Sequence, residues 1–299
     1  MNTTLLSGLN PEQLAAVTWP PQSALVLAGA GSGKTRVLTT RIAWLLQSGQ
    51  ASVHSIMAVT FTNKAAKEMQ TRLSAMIPIN VRSMWLGTFH GLCHRFLRMH
   101  HKDAGLPSAF QILDSGDQLA LIKRMLKALN IAEEIIAPRS LQGFINAQKE
   151  SGLRAGALQA ADLHTTRLIE CYAEYDKICQ REGVVDFAEL LLRTYELLSR
   201  NEPLRRHYQE RFQHILVDEF QDTNRLQYAW LKLLAGQLTL SAGRLSYGFA
   251  DGAGPSAQAL FWQDPRQPLA LTHTARASPR PGRSPDAVRP GRCAPAQWS

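Results

Sequence analysis

The octapeptide AGAGSGKT, residues 28–35, constrains this chain more than any other stretch. Gly29, Gly31 and Gly33 alternate with small residues, a pattern that weakens any regular helix or strand. Yet the segments on both sides are well patterned. Residues 24–28, ALVLA, form a short apolar run that suits a buried parallel strand. Residues 34–47 space Val37, Leu38, Ile42, Leu45 and Leu46 as one face of a helix, and Gly49 stops it. A strand, a glycine turn and a helix in that order make a phosphate-binding loop.

In such a loop Gly29, Gly31 and Gly33 let the backbone turn its N–H groups inward, with Ala28, Ala30 and Ser32 between them. The helix N-terminus that follows favours an anion. Lys34 reaches the β and γ phosphates of a nucleotide, and the Thr35 hydroxyl is suited to Mg²⁺. Ala28 departs from the simplest GxxxxGK[ST] pattern, which has glycine there. The competing reading is a glycine-rich turn with a solvated lysine, and the flanking strand and helix argue against it.

The same grammar repeats. Residues 55–61 are a second apolar run, followed by the helical TNKAAKEMQTRLSAMI with Thr62 or Asn63 as cap. MWLGTF, residues 84–89, is a third strand candidate, with HGLCHRFLRMHH behind it. Alternating strands and helices imply an α/β fold with a parallel sheet. Between about residues 114 and 211 the pattern turns helical, with four apolar stripes at 3–4 spacing. HILVDEF (214–220) then returns to a strand and NRLQYAWLKLLAG to a helix. The simplest architecture is a parallel-sheet domain interrupted by a helical insertion.

VDEFQD, residues 217–222, closes the last apolar run. Acids at the C-terminal end of a buried strand stand where ligands bind in open α/β sheets. Asp218 is placed to hold Mg²⁺, and Glu219 to polarise a water for attack on the γ-phosphate. A solvated acidic turn is the alternative, and the phosphate loop upstream counts against it.

Composition adds bounds. The formal net charge is +9, which favours anionic partners. Four cysteines (Cys93, Cys171, Cys179, Cys293) show no paired metal spacing and read as reduced thiols of a cytosolic protein. The first residues carry no signal-peptide pattern, and no apolar run reaches the roughly 18 residues of a membrane span.

LNPEQLAAV, AGAGSGKTRVL, SIMAVTFTNKAAKEM, WLGTFHGLCHR, VVDFAELLLR and ILVDEFQDTN together resemble the successive motifs of the UvrD/Rep family of superfamily 1 DNA helicases. The resemblance covers about residues 5–236. It implies a RecA-like P-loop NTPase subdomain, 1A, at about 5–90 and 212–236, with a helical insertion, 1B, at about 91–211. It implies an ATP- and Mg²⁺-dependent 3′–5′ motor on single-stranded or 3′-tailed DNA, with mismatch-repair and excision-repair proteins as partners, no membrane, and a cytoplasmic, nucleoid-associated place in a bacterium. Gln13 would read the adenine edge, Arg36 would lie near the nucleotide, and Gln221 would sense the γ-phosphate. Thr60, Phe61, Thr62 and Asn63, with Thr88, Phe89 and His90, would contact DNA. By residue type alone Phe61 and Phe89 read first as core; the resemblance is what points them at DNA.

After Gly236 the grammar fails. Residues 237–299 hold eight of the 15 prolines, seven arginines and one valine, and no Lys, Glu, Ile, Met or Asn. Such a segment has little to bury against its ordering entropy, so it is expected to be disordered. The family's next motif, of the form GDxxQSIYxWRGA, does not follow. The expectation is therefore the ATPase half of a helicase, truncated after DEFQD and crippled in unwinding, with a tail read out of frame. The alternatives are a non-catalytic ATP- or DNA-binding module, a basic tail that itself binds DNA or a partner, and the nonfunctional product of a disrupted gene.

Overall fold

A computed structural model describes residues 3–20, 23–29, 31–236, 257–263 and 269–271. The helices are α1 (Thr3–Leu6), α2 (Pro11–Val17), α3 (Lys34–Gln47), α4 (Asn63–Met76), α5 (Phe89–Met99), α6 (Ser115–Ala128), α7 (Pro138–Glu150), α8 (Leu163–Glu182), α9 (Phe187–Arg200), α10 (Glu202–Arg211) and α11 (Arg225–Ala235). The strands are β1 (Ser23–Gly29), β2 (Ile56–Thr60), β3 (Trp85–Thr88), β4 (Gln111–Ile112), β5 (Val184–Val185), β6 (His214–Val217), β7 (Ala257–Gln263) and β8 (Leu269–Leu271).

The main sheet runs β3-β2-β6-β7-β1-β8. β2 pairs in parallel with β3 and with β6, and β1 in parallel with β8. Both faces are covered, and the strands show it residue by residue. Along β2, Ile56 and Ala58 enter a core with Leu38, Ile42 and Leu73, while Met57 and Val59 enter another with Phe96, Trp230 and Leu231. On β6, Leu216 joins the first core and Ile215 and Val217 the second. Period-two alternation between two apolar layers explains why these strands read as continuous apolar runs.

The helical stretch has its own core. Leu121, Ile122, Met125, Leu141, Ile145, Tyr172 and Tyr175 bring α6, α7 and α8 together. The short pair β4–β5 closes this region across 72 residues of chain, with Gln111 opposite Val184. Beneath α9 lies a buried charge network. Lys149 on α7, 1% exposed, lies 2.8 Å from Asp186, 2.9 Å from Glu189 and 3.1 Å from Asp176. Arg154 ties Glu189 to Glu196, and the Tyr175 hydroxyl donates to Asp186 at 2.8 Å.

Residues 237–299 depart from their expected lack of structure in two places. Ala257–Gln263 forms β7, antiparallel to both β1 and β6, and Leu269–Leu271 forms β8. The physical reason lies in the sheet. β1 and β6 face each other one strand-width apart, and buried backbone groups on both edges need partners. Residues 257–263 contain neither proline nor glycine, which leaves that segment free to extend. The rest of the tail, Cys293 included, lies outside the described residues.

Candidate nucleotide and DNA site

Both halves of the candidate nucleotide site sit at the C-terminal ends of parallel strands. β1 ends at Gly29 and α3 begins at Lys34. Gly31 has φ 74° and Gly33, the N-cap of α3, has φ 86°, so the loop depends on residues without a Cβ at these points. A Cβ on Gly33 would also stand 2.9 Å from the Gln13 amide nitrogen and push that side chain aside. Gln13 belongs to α2, whose N-terminus is closed by a reciprocal capping box with Asn10. Its amide also donates to the Ser32 carbonyl at 2.9 Å, which lays Gln13 directly on the loop. Lys34 is buried and donates to the Gly29 carbonyl at 3.1 Å. Arg36 is exposed and reaches the Ser7 carbonyl at 3.5 Å. Ala28 is the penultimate residue of β1, and Ala30 lies outside the described residues.

On the other side, Asp218 continues the β2–β6 ladder, its N–H donating to the Val59 carbonyl at 2.9 Å. Burial, with the Glu219 charge adding to it, pushes the Asp218 carboxyl up to about 6, while Lys34 pulls it down. The Lys34 ammonium is therefore close enough to act on the Asp218 carboxyl. A carboxylate is an oxygen donor of the kind Mg²⁺ takes, and Thr35 follows Lys34 in the first turn of α3. Glu219 stands at φ 51°, a left-handed conformation unusual for a non-glycine residue and common where a site needs a side chain aimed against its backbone preference. Gln221 donates to the Glu219 carboxylate at 2.7 Å, which couples these two residues through a single hydrogen bond.

The strand-end residues divide. Phe61 is half-buried, and Thr62 and Asn63 are exposed, with Thr62 capping α4 through Ala65 N–H. Thr60 is 0% exposed and Phe89 is 2% exposed. Phe89 packs edge-on between Phe61 and Trp230, at 5.6 and 5.9 Å between ring centroids. Its ring lies edge-on against Phe61, and the Thr60 hydroxyl donates to the Thr62 carbonyl at 3.2 Å. Phe89 is the first residue of α5, capped by Thr88, and it belongs to the core that also holds Phe96 and Trp230. His90 is half-buried, and burial holds its pKa below the ordinary histidine value. It meets the ring of Phe187 at 6.0 Å. Phe187 escaped the sequence reading although it is 54% exposed. Its signal was present: a large aromatic directly after Asp186, the cap of α9, faces outward from the helix start.

A parallel sheet with a glycine loop after one strand and an acidic pair after another agrees with the RecA-like class of helicase domain. Residues 9–242 match the UvrD/REP helicase N-terminal domain, and the chain belongs to that family. It is 54% identical over 233 residues to DNA helicase II of Escherichia coli K12, covering 78% of this chain and 32% of that protein. It is 52% identical over 238 residues to DNA helicase II of Haemophilus influenzae, with 78% and 33% covered. It is 40% identical over 235 residues to the ATP-dependent DNA helicase PcrA of Staphylococcus aureus, with 78% and 32% covered. The chain thus spans about a third of the length of the curated relatives it matches. Among the described residues no helix is long and apolar enough to cross a membrane.

Proposed function

We propose that this chain carries the ATP–Mg²⁺ and single-stranded-DNA sites of a UvrD-type helicase, with residues 91–211 as the inserted 1B unit. The observation that carries this reading is the convergence of Lys34, Asp218 and the Glu219–Gln221 pair at one sheet end. The loop N–H groups and Lys34 bind the phosphates, and Gln13 meets the adenine. Thr35 and Asp218 hold Mg²⁺, which supplies charge neutralisation when bound. Glu219 accepts a proton from the attacking water, and Gln221 orients that carboxylate. Because Gln221 and the exposed strand-end residues leave the same edge of the sheet, a change at the γ-phosphate reaches the DNA face through a few residues.

On that face Phe61, His90 and Phe187 present aromatic surface while Thr62, Asn63 and Thr88 offer hydrogen bonds to phosphates. A stacked base contributes about 1–3 kcal/mol by alanine substitution. Phe61→Ala is therefore expected to weaken binding of a fluorescent oligothymidine by about tenfold, measured by anisotropy at fixed salt. An unchanged affinity removes Phe61 from the DNA site.

A second reading concerns residues 237–299 alone. Their loss of Lys, Glu, Ile, Met and Asn at one point, with arginine and proline in excess, supports a change of reading frame there. Translation of the other two frames beyond codon 236 is expected to restore a GDxxQSIYxWRG-like stretch. If neither frame contains it, the tail is a segment in its own right.

A further inference from the structure

Arg41 has no part in the site described above, yet it is 2% exposed, and burial of this kind is costly for a guanidinium unless its donors are used. Its two terminal nitrogens use them on backbone. Nη1 donates to the Val17 carbonyl at 3.0 Å and to the Trp19 carbonyl at 2.9 Å, and Nη2 to the Pro20 carbonyl at 3.4 Å. Burial pulls its pKa down to about 10, which still leaves it cationic at neutral pH.

The position of these contacts gives them a consequence. Val17 is the last residue of α2, and its carbonyl is one of those a helix leaves without an intrahelical partner. Gln13 lies one turn earlier on the same face of that helix. Arg41 itself lies seven residues after Lys34 on α3, two turns on along the same face. One helix thus carries Lys34 at the phosphate end and, about 10 Å further along its axis, the group that grips the end of α2. The α2 helix has only seven residues and is too short to be stable alone, so its placement is set by what holds its ends. At the N-terminal end the holders are Asn10 and the Gln13–Ser32 bond, and at the C-terminal end they include Arg41.

We infer that Arg41 is a positioning residue for nucleobase recognition: by clamping the carbonyls of Val17, Trp19 and Pro20 it fixes Gln13 over the phosphate loop, and so sets the preference for adenine without touching the nucleotide. This rests on the nucleotide reading above. Lysine cannot replace it, because a single ammonium does not reproduce a fork of donors aimed at three carbonyls.

The test is calorimetric titration of the full chain with Mg-ATP, Mg-GTP and Mg-tripolyphosphate, in wild type, Arg41→Lys, Gln13→Ala and the double variant. Tripolyphosphate reports on the loop alone. In Arg41→Lys the ATP affinity is expected to fall about tenfold and the ATP-over-GTP preference to collapse, with tripolyphosphate affinity held within about twofold. The double variant is expected to bind ATP no more than about twofold worse than either single one, since both remove the same contact. A parallel loss for ATP and tripolyphosphate, or additive losses in the double variant, overturns the inference and makes Arg41 a core residue only. Should Arg41→Lys fail to fold, Arg41→Gln, with a shorter donor amide, is read in the same way, and failure of both to fold also overturns it. A wild type that binds neither ATP nor tripolyphosphate sinks the nucleotide reading instead.

Discussion

Lys149→Met is expected to lower the thermal midpoint by on the order of 10 °C. Lys149 is the central cation of the network beneath α9, within 3.1 Å of three carboxylates. Removing it leaves Asp186 and Glu189 buried without that partner, and breaking a buried pair from one side costs about 3–5 kcal/mol. For a domain of this size each kcal/mol moves the midpoint by about 2–4 °C. The loss should be partly recovered in Lys149→Met/Asp186→Asn, because the orphaned charge goes too while asparagine keeps the cap of α9. A midpoint within about 2 °C of wild type for Lys149→Met would show that the network does not hold α7 to α9.

The same network sets an acid limit. Burial alone would raise the Glu189 pKa, but Lys149 and Arg154 outweigh burial and hold it well below the usual carboxylate range. A group depressed on folding stabilises the fold above its unfolded pKa, about 4.3 for glutamate. That stabilisation disappears as the pH falls below this value toward the folded pKa. The α9 region is therefore expected to be among the first parts to loosen in acid.

None of this network was legible in the sequence. Lys149 lies 37 residues before Asp186, and a charged residue in a helical pattern reads as a solvated face. The pair β4–β5 was equally hidden, since two-residue strands carry no periodicity. Helix α10 was missed for another reason. EPLRRHYQER buries only Tyr208, so it shows no apolar stripe, and its signals were the Asn201 cap and Pro203 in the first turn. By contrast α3 was expected at 34–47 and is found at Lys34–Gln47, because glycine bounds it at both ends and a full apolar face runs between. The glycine turn between β1 and α3 was legible because its motif is local. The Glu219–Gln221 bond joins residues two apart, but it needs the left-handed turn at Glu219, and nothing in the residue type demands that turn. β7 shows the opposite failure: composition argued against strands, and the demand of two facing sheet edges outweighed it.

Lys34→Ala is expected to weaken Mg-ATP binding by about tenfold to a hundredfold at pH 8. The side chain is buried at the start of α3, where a charge-assisted bond to phosphate contributes about 1.5–3 kcal/mol. The variant should also change the pH dependence, because Lys34 pulls down the pKa of Asp218. In the proposed site Mg²⁺ takes the Asp218 carboxylate, so wild-type affinity should rise as pH climbs toward about 6, taking up the metal with release of a proton, and flatten above it. The free fold responds with the opposite sign. A carboxyl raised on folding binds its proton more tightly when folded, so stability falls as pH rises from about 4 to about 6. Without the Lys34 ammonium the Asp218 carboxyl moves further up, and the inflection in Mg-ATP affinity should move above that of wild type. The two effects separate two roles of one side chain. A lower affinity with an unmoved inflection leaves Lys34 as a phosphate ligand whose charge does not reach Asp218. Equal affinities for wild type and variant across the range would remove the phosphate loop from the nucleotide site altogether.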